Sequence, residues 1–182
     1  MTDRDLVRGI RRGDPAAFGQ LYRSHKDAVY AFACSLAGRG AEAEDLLQEA
    51  FLGLIRHADR IEREEAIRAY LFRSVRNRFL DRERRHSSRD QPLTAASTAP
   101  SNDPGPPASS ISEERSGLVR TAIDALPEAQ AEVVRLRLFG KLDFGTISAM
   151  VSAPLPTVRS RYRAALEKLR ETLGRTLGDV GS

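Results

Sequence analysis

Between His86 and Ser112 the chain reads HSSRDQPLTAASTAPSNDPGPPASSIS, 27 residues rich in Ser, Pro, Thr and Ala without one Phe, Tyr or Trp. Periodic apolar positions are nearly absent, so burial there cannot offset the entropy lost on ordering the backbone. Pro104, Pro106 and Pro107 also bar a regular helix, each removing an amide donor. The segment is expected to be a flexible, partly extended linker. That expectation forces the 182-residue chain into two small bodies, residues 1–85 and 113–182, in place of one large core. At 41% hydrophobic residues there is enough apolar material for both.

The period within each block selects the fold class. Phe18, Leu21, Tyr22, His25, Val29, Phe32 and Leu36 recur at three- and four-residue spacings. Asp14-Pro15 supplies a cap followed by proline in the first turn, and Gly38-Arg39-Gly40 ends that helix. The next stripe is Ala43, Leu46, Leu47, Ala50, Phe51, Leu54 and Ile55. A further helix over 64–85 turns Ile67, Tyr70, Leu71, Val75 and Phe79 inward, and a short one over 3–12 precedes them all. Helices at about 113–125, 127–139, 143–151 and 155–173 follow the linker, punctuated by Leu126-Pro127 and Phe139-Gly140. Alternating strand patterns and Asn-Gly hairpin turns are missing. The expected fold is all-α, two small helical domains on a flexible linker.

Three constellations carry functional information. Residues 143–170 pair a short helix bearing Ile147 and Val151 with a tight turn at Ser152-Ala153. A second helix follows, burying Val158, Tyr162, Ala165 and Leu169. This is helix-turn-helix spacing, with the small Ser148 letting the helices approach. Pro154 and Pro156 are tolerated because a first helical turn has no amide bond to lose. The outward face offers Thr157, Arg159, Ser160, Arg161 and Arg163, suited to guanine edges or phosphates. Arg159 and Arg161 diverge by roughly 200° on a helical wheel, so the two cannot both enter the groove. The helix over 68–85 holds seven arginines against two acids. Arg73, Arg76, Asn77, Leu80, Asp81 and Arg84 share one face, a stripe for a phosphate backbone, and Tyr70 with Phe72 could stack bases. On the helix at 42–55, Asp45, Gln48, Glu49 and Leu52 form a compact acidic face with an apolar contact; spacing alone reads it as a solvated face without a polar partner.

Composition excludes other chemistries. Cys34 is the sole cysteine and only His25, His57 and His86 are present, so neither a disulfide framework nor a zinc site is expected. Cys34 and His25 read as core residues. Phosphate loops, zinc-protease motifs and nucleophile elbows are absent, and no catalytic residue, metal or cofactor is expected. The N-terminus lacks a signal pattern. The longest apolar run, Ala28 to Ala37, spans ten residues where a membrane helix needs about 20. The expectation is a soluble, cytoplasmic protein without membrane insertion.

The constellations occur in a known order. The chain resembles an extracytoplasmic-function (ECF) sigma factor of bacterial RNA polymerase over about residues 14–85 and 118–173. AEAEDLLQEAFLGL and AYLFRSVRNRFLDRERR are similar to that family's region two, and DALPEAQAEVVRLRLFGKLDFGTISAM with PLPTVRSRYRAALEKLR to region four. The resemblance implies a region-two domain over 1–85, a linker over 86–112 and a region-four domain over 113–182. It implies that Asp45, Gln48, Glu49 and Leu52 dock on the clamp coiled coil of the largest subunit of core RNA polymerase, reversing the reading from spacing. Arg73, Arg76, Asn77 and Arg84 would meet the melted minus-10 element of promoter DNA, and the loop near Asp59–Ala66 would receive a flipped base. Thr157, Arg159, Ser160, Arg161 and Arg163 would read the minus-35 element. An anti-sigma protein that clamps the two domains is a further partner of this family. Departures from the pattern are Tyr70 in place of Trp, Glu62, Glu64 and Glu65 in the base-pocket segment, and Thr146-Ile147-Ser148 in place of Glu-Ile-Ala. Others are Ser152 in place of the turn glycine, Pro156 before Thr157, and Ala164 and Leu166 in place of arginines. The competing reading is a helix-turn-helix transcription regulator that acts without polymerase; it leaves the acidic helix and the RNRFLD helix unexplained.

Overall fold

The computed structural model describes residues 3–60, 64–89 and 110–179. Eight α-helices and one 3-10 turn make up the regular structure of these residues. The chain divides into two compact units, Met1–Asp103 and Pro104–Ser182.

In the first unit, α1 (Asp3–Arg11), α2 (Pro15–Ala37), α3 (Ala41–Arg56) and α4 (Glu64–Arg89) form a bundle in which α3 packs on both α2 and α4. Asp14 caps α2 as its spacing predicted: its carboxylate accepts from the Ala16 amide at 2.9 Å, with Pro15 in the first turn. Gly38 ends α2 at φ 79°, a left-handed value that suits glycine. Leu21, Val29, Leu46, Leu54, Ile67, Leu71 and Val75 are fully buried. Phe51 stands edge-on to Tyr22 at 4.8 Å between ring centroids. Two apolar assignments change. Ile55 is exposed, because the buried stripe of α3 runs through Leu47, Ala50, Phe51 and Leu54 and leaves it beyond the seam. Phe72 is fully buried against Phe32, 4.9 Å between centroids, and offers no stacking surface.

In the second unit, α5 (Ser110–Asp124), α6 (Glu128–Leu138), α7 (Phe144–Val151) and α8 (Leu155–Asp179) close around Ile123, Leu126, Ala131, Val134 and Ala165, with Val119, Tyr162 and Leu169 against them. In α7, Ile147 is buried as expected, but Met150 is the buried partner and Val151 lies half-buried. Helices also extend beyond the expected bounds. α4 continues through His86–Arg89, where Ser88 Oγ donates to the Arg85 carbonyl at 3.2 Å, and α5 begins at Ser110. Residues 86–89 and 110–112 are therefore helical, and the remainder of the expected linker, 90–109, lies outside the described residues.

Arg135 is the one charged residue in the interior of this unit among those described. Its side chain is 7% exposed; Nη2 donates to Asp124 Oδ1 at 2.8 Å and Nη1 to Glu128 Oε1 at 3.4 Å. The guanidinium thus ties the end of α5 to the start of α6. Removing an acceptor from a buried donor costs about 1–3 kcal/mol. Asp124→Ala is expected to destabilise the second unit by that order and Glu128→Ala by less, since Glu128 is largely exposed and its bond is longer. Hydrogen exchange of the α6 amides in denaturant, compared among the three proteins, measures this.

Candidate functional site

Burial of α3 along Ala43, Leu46, Ala50 and Leu54 turns the opposite side outward. Asp45 and Gln48 are exposed, and Leu52 shows 51% of its surface. Ile55, 42% exposed, lies three residues beyond Leu52 and extends the apolar contact, a residue that the apolar stripe had assigned to the core. Glu49 behaves differently from its neighbours. It is half-buried, and its Oε2 receives Arg78 Nη1 at 2.8 Å and lies 3.6 Å from Arg82 Nη2. Arg82 Nη1 also stands 3.9 Å from Glu42 Oε1. The acidic face is therefore not without polar partners. Glu42, Asp45 and Glu49 form one wall of an open cleft of about 670 Å³ whose other wall is Arg78, Asp81, Arg82, Arg85 and His86 of α4. Arg78 and Arg82 escaped sequence reasoning, although their i, i+4 spacing marks a shared face.

The other side of α4 presents the expected stripe. Arg73, Asn77 and Arg84 are exposed and Arg76 is half-buried. Arg84 pairs with Asp81 at 3.4 Å, and Arg76 Nη1 lies 3.5 Å from Asn77 Oδ1. Tyr70 is half-buried, and its hydroxyl lies 3.2 Å from His57 Nδ1 at the end of α3. A Cβ on Gly53 would come within 2.9 Å of that hydroxyl, so the glycine is what lets the two helices close there. Burial raises the Tyr70 hydroxyl above its ordinary pKa, against the opposing pull of Arg78 and Arg56. Of the expected base-pocket segment, Asp59 and Arg60 lie in the 3-10 turn Ala58–Arg60 and Glu64–Ala66 begin α4. Glu62 lies outside the described residues. Arg11 of α1 donates to the Ala58 carbonyl at 2.9 Å and the Asp59 carbonyl at 3.3 Å, anchoring that turn. A contact across 47 positions leaves no local sequence signal.

In the second unit the helix-turn-helix is closed by its own departures from the family pattern. Ser152 adopts φ 51°, ψ 43° at the end of α7, a conformation in which a turn glycine carries no steric cost. Ser148 Oγ donates to the Ala153 carbonyl at 2.6 Å, and the Ala153 amide returns to the Ser148 carbonyl at 3.2 Å. Pro154 accepts the first helical bond of α8, from the Val158 amide, so Pro156 sits where no donor is needed. Val158 and Ala165 are fully buried; Arg159, Ser160 and Arg163 are exposed, while Thr157 and Arg161 are half-buried. Arg137 holds the approach to α7, donating to the Leu142 carbonyl at 2.7 Å and covering the Phe144 ring at 5.1 Å.

These geometries meet their comparisons. The Sigma-70 region 2 family model matches residues 21–89 and the Sigma-70, region 4 model matches residues 122–171. The chain belongs to the ECF sigma factors. It is an RNA polymerase sigma factor, whose partners are core polymerase and promoter DNA. It is 26% identical over 182 residues to the ECF RNA polymerase sigma factor SigW of Bacillus subtilis, covering 95% of this chain and 97% of that one. It is 33% identical to SigE of Mycolicibacterium smegmatis over 169 residues, 90% of this chain and 65% of that one. Among solved structures, the sigma factor RpoE in complex with the anti-sigma factor NepR from Bartonella quintana has the same fold. The TM-score is 0.65 at 22% identity, over 86% of this chain and 96% of that one. Among the described residues no helix is long and apolar enough to cross a membrane.

The cap of α7 carries a pH dependence. Asp143 accepts from both the amide and the hydroxyl of Thr146, and these bonds hold its carboxyl below the ordinary carboxylate value. A depressed folded-state pKa contributes stability above the unfolded value and loses it as pH falls through the folded one. Asp143→Ala is expected to cost about 0.5–1 kcal/mol near neutrality, toward the low end because the carboxylate is exposed to solvent. The gap to the parent protein should close as pH falls through the depressed value. Unfolding measured against pH for both proteins checks this.

Proposed function

We infer that the sigma factor divides its work between the two units as region two and region four, with residues 86–112 as connection. Asp45, Gln48, Glu49 and Leu52 dock on the clamp coiled coil of the largest polymerase subunit, and Ile55 widens the apolar part of that contact. Arg73, Arg76, Asn77 and Arg84 hold the minus-10 element as it melts, with Asn77 contacting an unstacked base. Thr157, Arg159, Ser160, Arg161 and Arg163 read the minus-35 element: exposed Arg159 and Ser160 are the candidates for base edges, Arg161 and Arg163 for phosphates. The observation that carries this reading is the pair of unlike faces on one bundle, an acidic-apolar one on α3 and an Arg/Asn one on α4. A polymerase-independent regulator would use α8 and leave both faces idle.

The protein itself performs no catalysis; bond formation belongs to polymerase, and the setting is the cytoplasm. An anti-sigma protein, the partner seen with RpoE of Bartonella quintana, holds the chain inactive by covering these faces. Like charges brought together at an interface cost several kcal/mol. The Asp45→Lys, Glu49→Lys double variant is therefore expected to stop competing for core polymerase while keeping its helix content. Full competition by the variant would sink the docking assignment, and run-off transcription from a genomic library with the parent protein supplies the promoters.

Asn77→Ala is expected to bind core polymerase normally and to form fewer open complexes, because an unstacked base loses the contacts that offset a few kcal/mol of unstacking. Permanganate footprinting on duplex and pre-melted templates checks it: the bubble should restore most of the signal. An equal defect on both templates would make Asn77 a structural residue.

A further inference from the structure

Resting on the docking reading, we propose that Arg78 and Arg82 are positioning residues for polymerase binding. They act through Glu49, and they are not part of the DNA stripe of α4. Both guanidiniums approach the same oxygen, Oε2, at 2.8 Å and 3.6 Å. The carboxylate is thus held from the α4 side through Oε2, on the same helix face as Asp45 and Gln48. A free glutamate side chain would lose rotamer entropy on docking, whereas one already held has lost it on folding. Arg82 strengthens the tie by reaching Glu42 as well, at 3.9 Å, so two turns of α3 are held to one turn of α4. Arg82, with its side chain 21% exposed, is the least solvated of the charges that make these pairs.

The inference opposes simple charge counting. Toward the basic surface that an acidic docking face implies, removing an arginine should improve attraction. Positioning predicts the reverse. The test uses the full chain and core polymerase without DNA, in a competition binding assay. Arg78→Gln is expected to weaken binding roughly tenfold, within the range of coupling between groups in direct contact. Glu49→Gln should weaken it comparably, and the Glu49→Gln, Arg78→Gln double variant no further than Glu49→Gln alone. Arg78→Lys, which can still donate to Oε2, should recover most of the affinity. Arg82→Gln, which leaves the 2.8 Å bond in place, is the second variant and should show a smaller loss with the same dependence on Glu49. Unchanged affinity of Arg78→Gln overturns the proposal, as does tighter binding, which would make the arginines intramolecular competitors. So does a loss of equal size with and without Glu49, which would place their action elsewhere. The docking reading is judged separately by Asp45→Lys, since Asp45 makes none of these ion pairs; unchanged affinity there would count against that reading alone.

Discussion

Ala43, Leu46, Ala50 and Leu54 of α3 are fully buried, and α3 packs against both α2 and α4. Because a helix repeats every 3.6 residues, seating that stripe leaves Asp45, Gln48 and Leu52 no direction but outward. The same contact brings Arg78 and Arg82 within reach of Glu49, so the core contact and the rim ion pairs fix the rotation of α4 together. That rotation decides which arginines of α4 meet α3 and which are left exposed. Gly53 permits the close approach by leaving room for the Tyr70 hydroxyl, and Arg11 fixes the turn that leads out of α3. The N-terminal unit is thus one scaffold carrying an acidic-apolar face and a basic-amide face.

The second unit builds its helix-turn-helix by a different route. Its interior charge, Arg135, joins α5 to α6, while Arg137 and the Phe144–Tyr162 edge contact at 5.3 Å secure α7 between α6 and α8. The turn between α7 and α8 is then closed by small polar groups. Ser148 satisfies the Ala153 carbonyl, Asp143 satisfies the first turn of α7, and two prolines occupy positions that need no donor. The departures of this turn from the family pattern form a mutually satisfied set, consistent with the rule that partly buried polar groups find partners. With Ala164 and Leu166 in place of two arginines, α8 carries fewer basic side chains than the family pattern, Arg161 and Arg163 among those it keeps.

The sequence by itself determined the helical class, the order of the elements, the caps at Asp14 and Gly38, the helix-turn-helix and the outward placement of Asp45, Gln48, Leu52, Asn77 and Arg159. All of these follow from local periodicity and terminus chemistry, which act over one or two turns of chain. Reading the acidic face as a docking surface needed more than spacing; it came from the order of motifs along the chain. Tertiary structure decided what depends on two segments meeting. It buried Phe72 against Phe32, 40 residues away in the chain, exposed Ile55 at the edge of its own stripe, and exchanged Val151 for Met150 in the helix-turn-helix core. It also converted Glu49 from a solvated acid into the ion-pair partner of two arginines 29 and 33 residues downstream. A helical wheel gives the direction of a side chain relative to its own axis, whereas a salt bridge or a ring contact depends on the rotation and depth of a second axis. Those are fixed only when the two buried stripes are packed together.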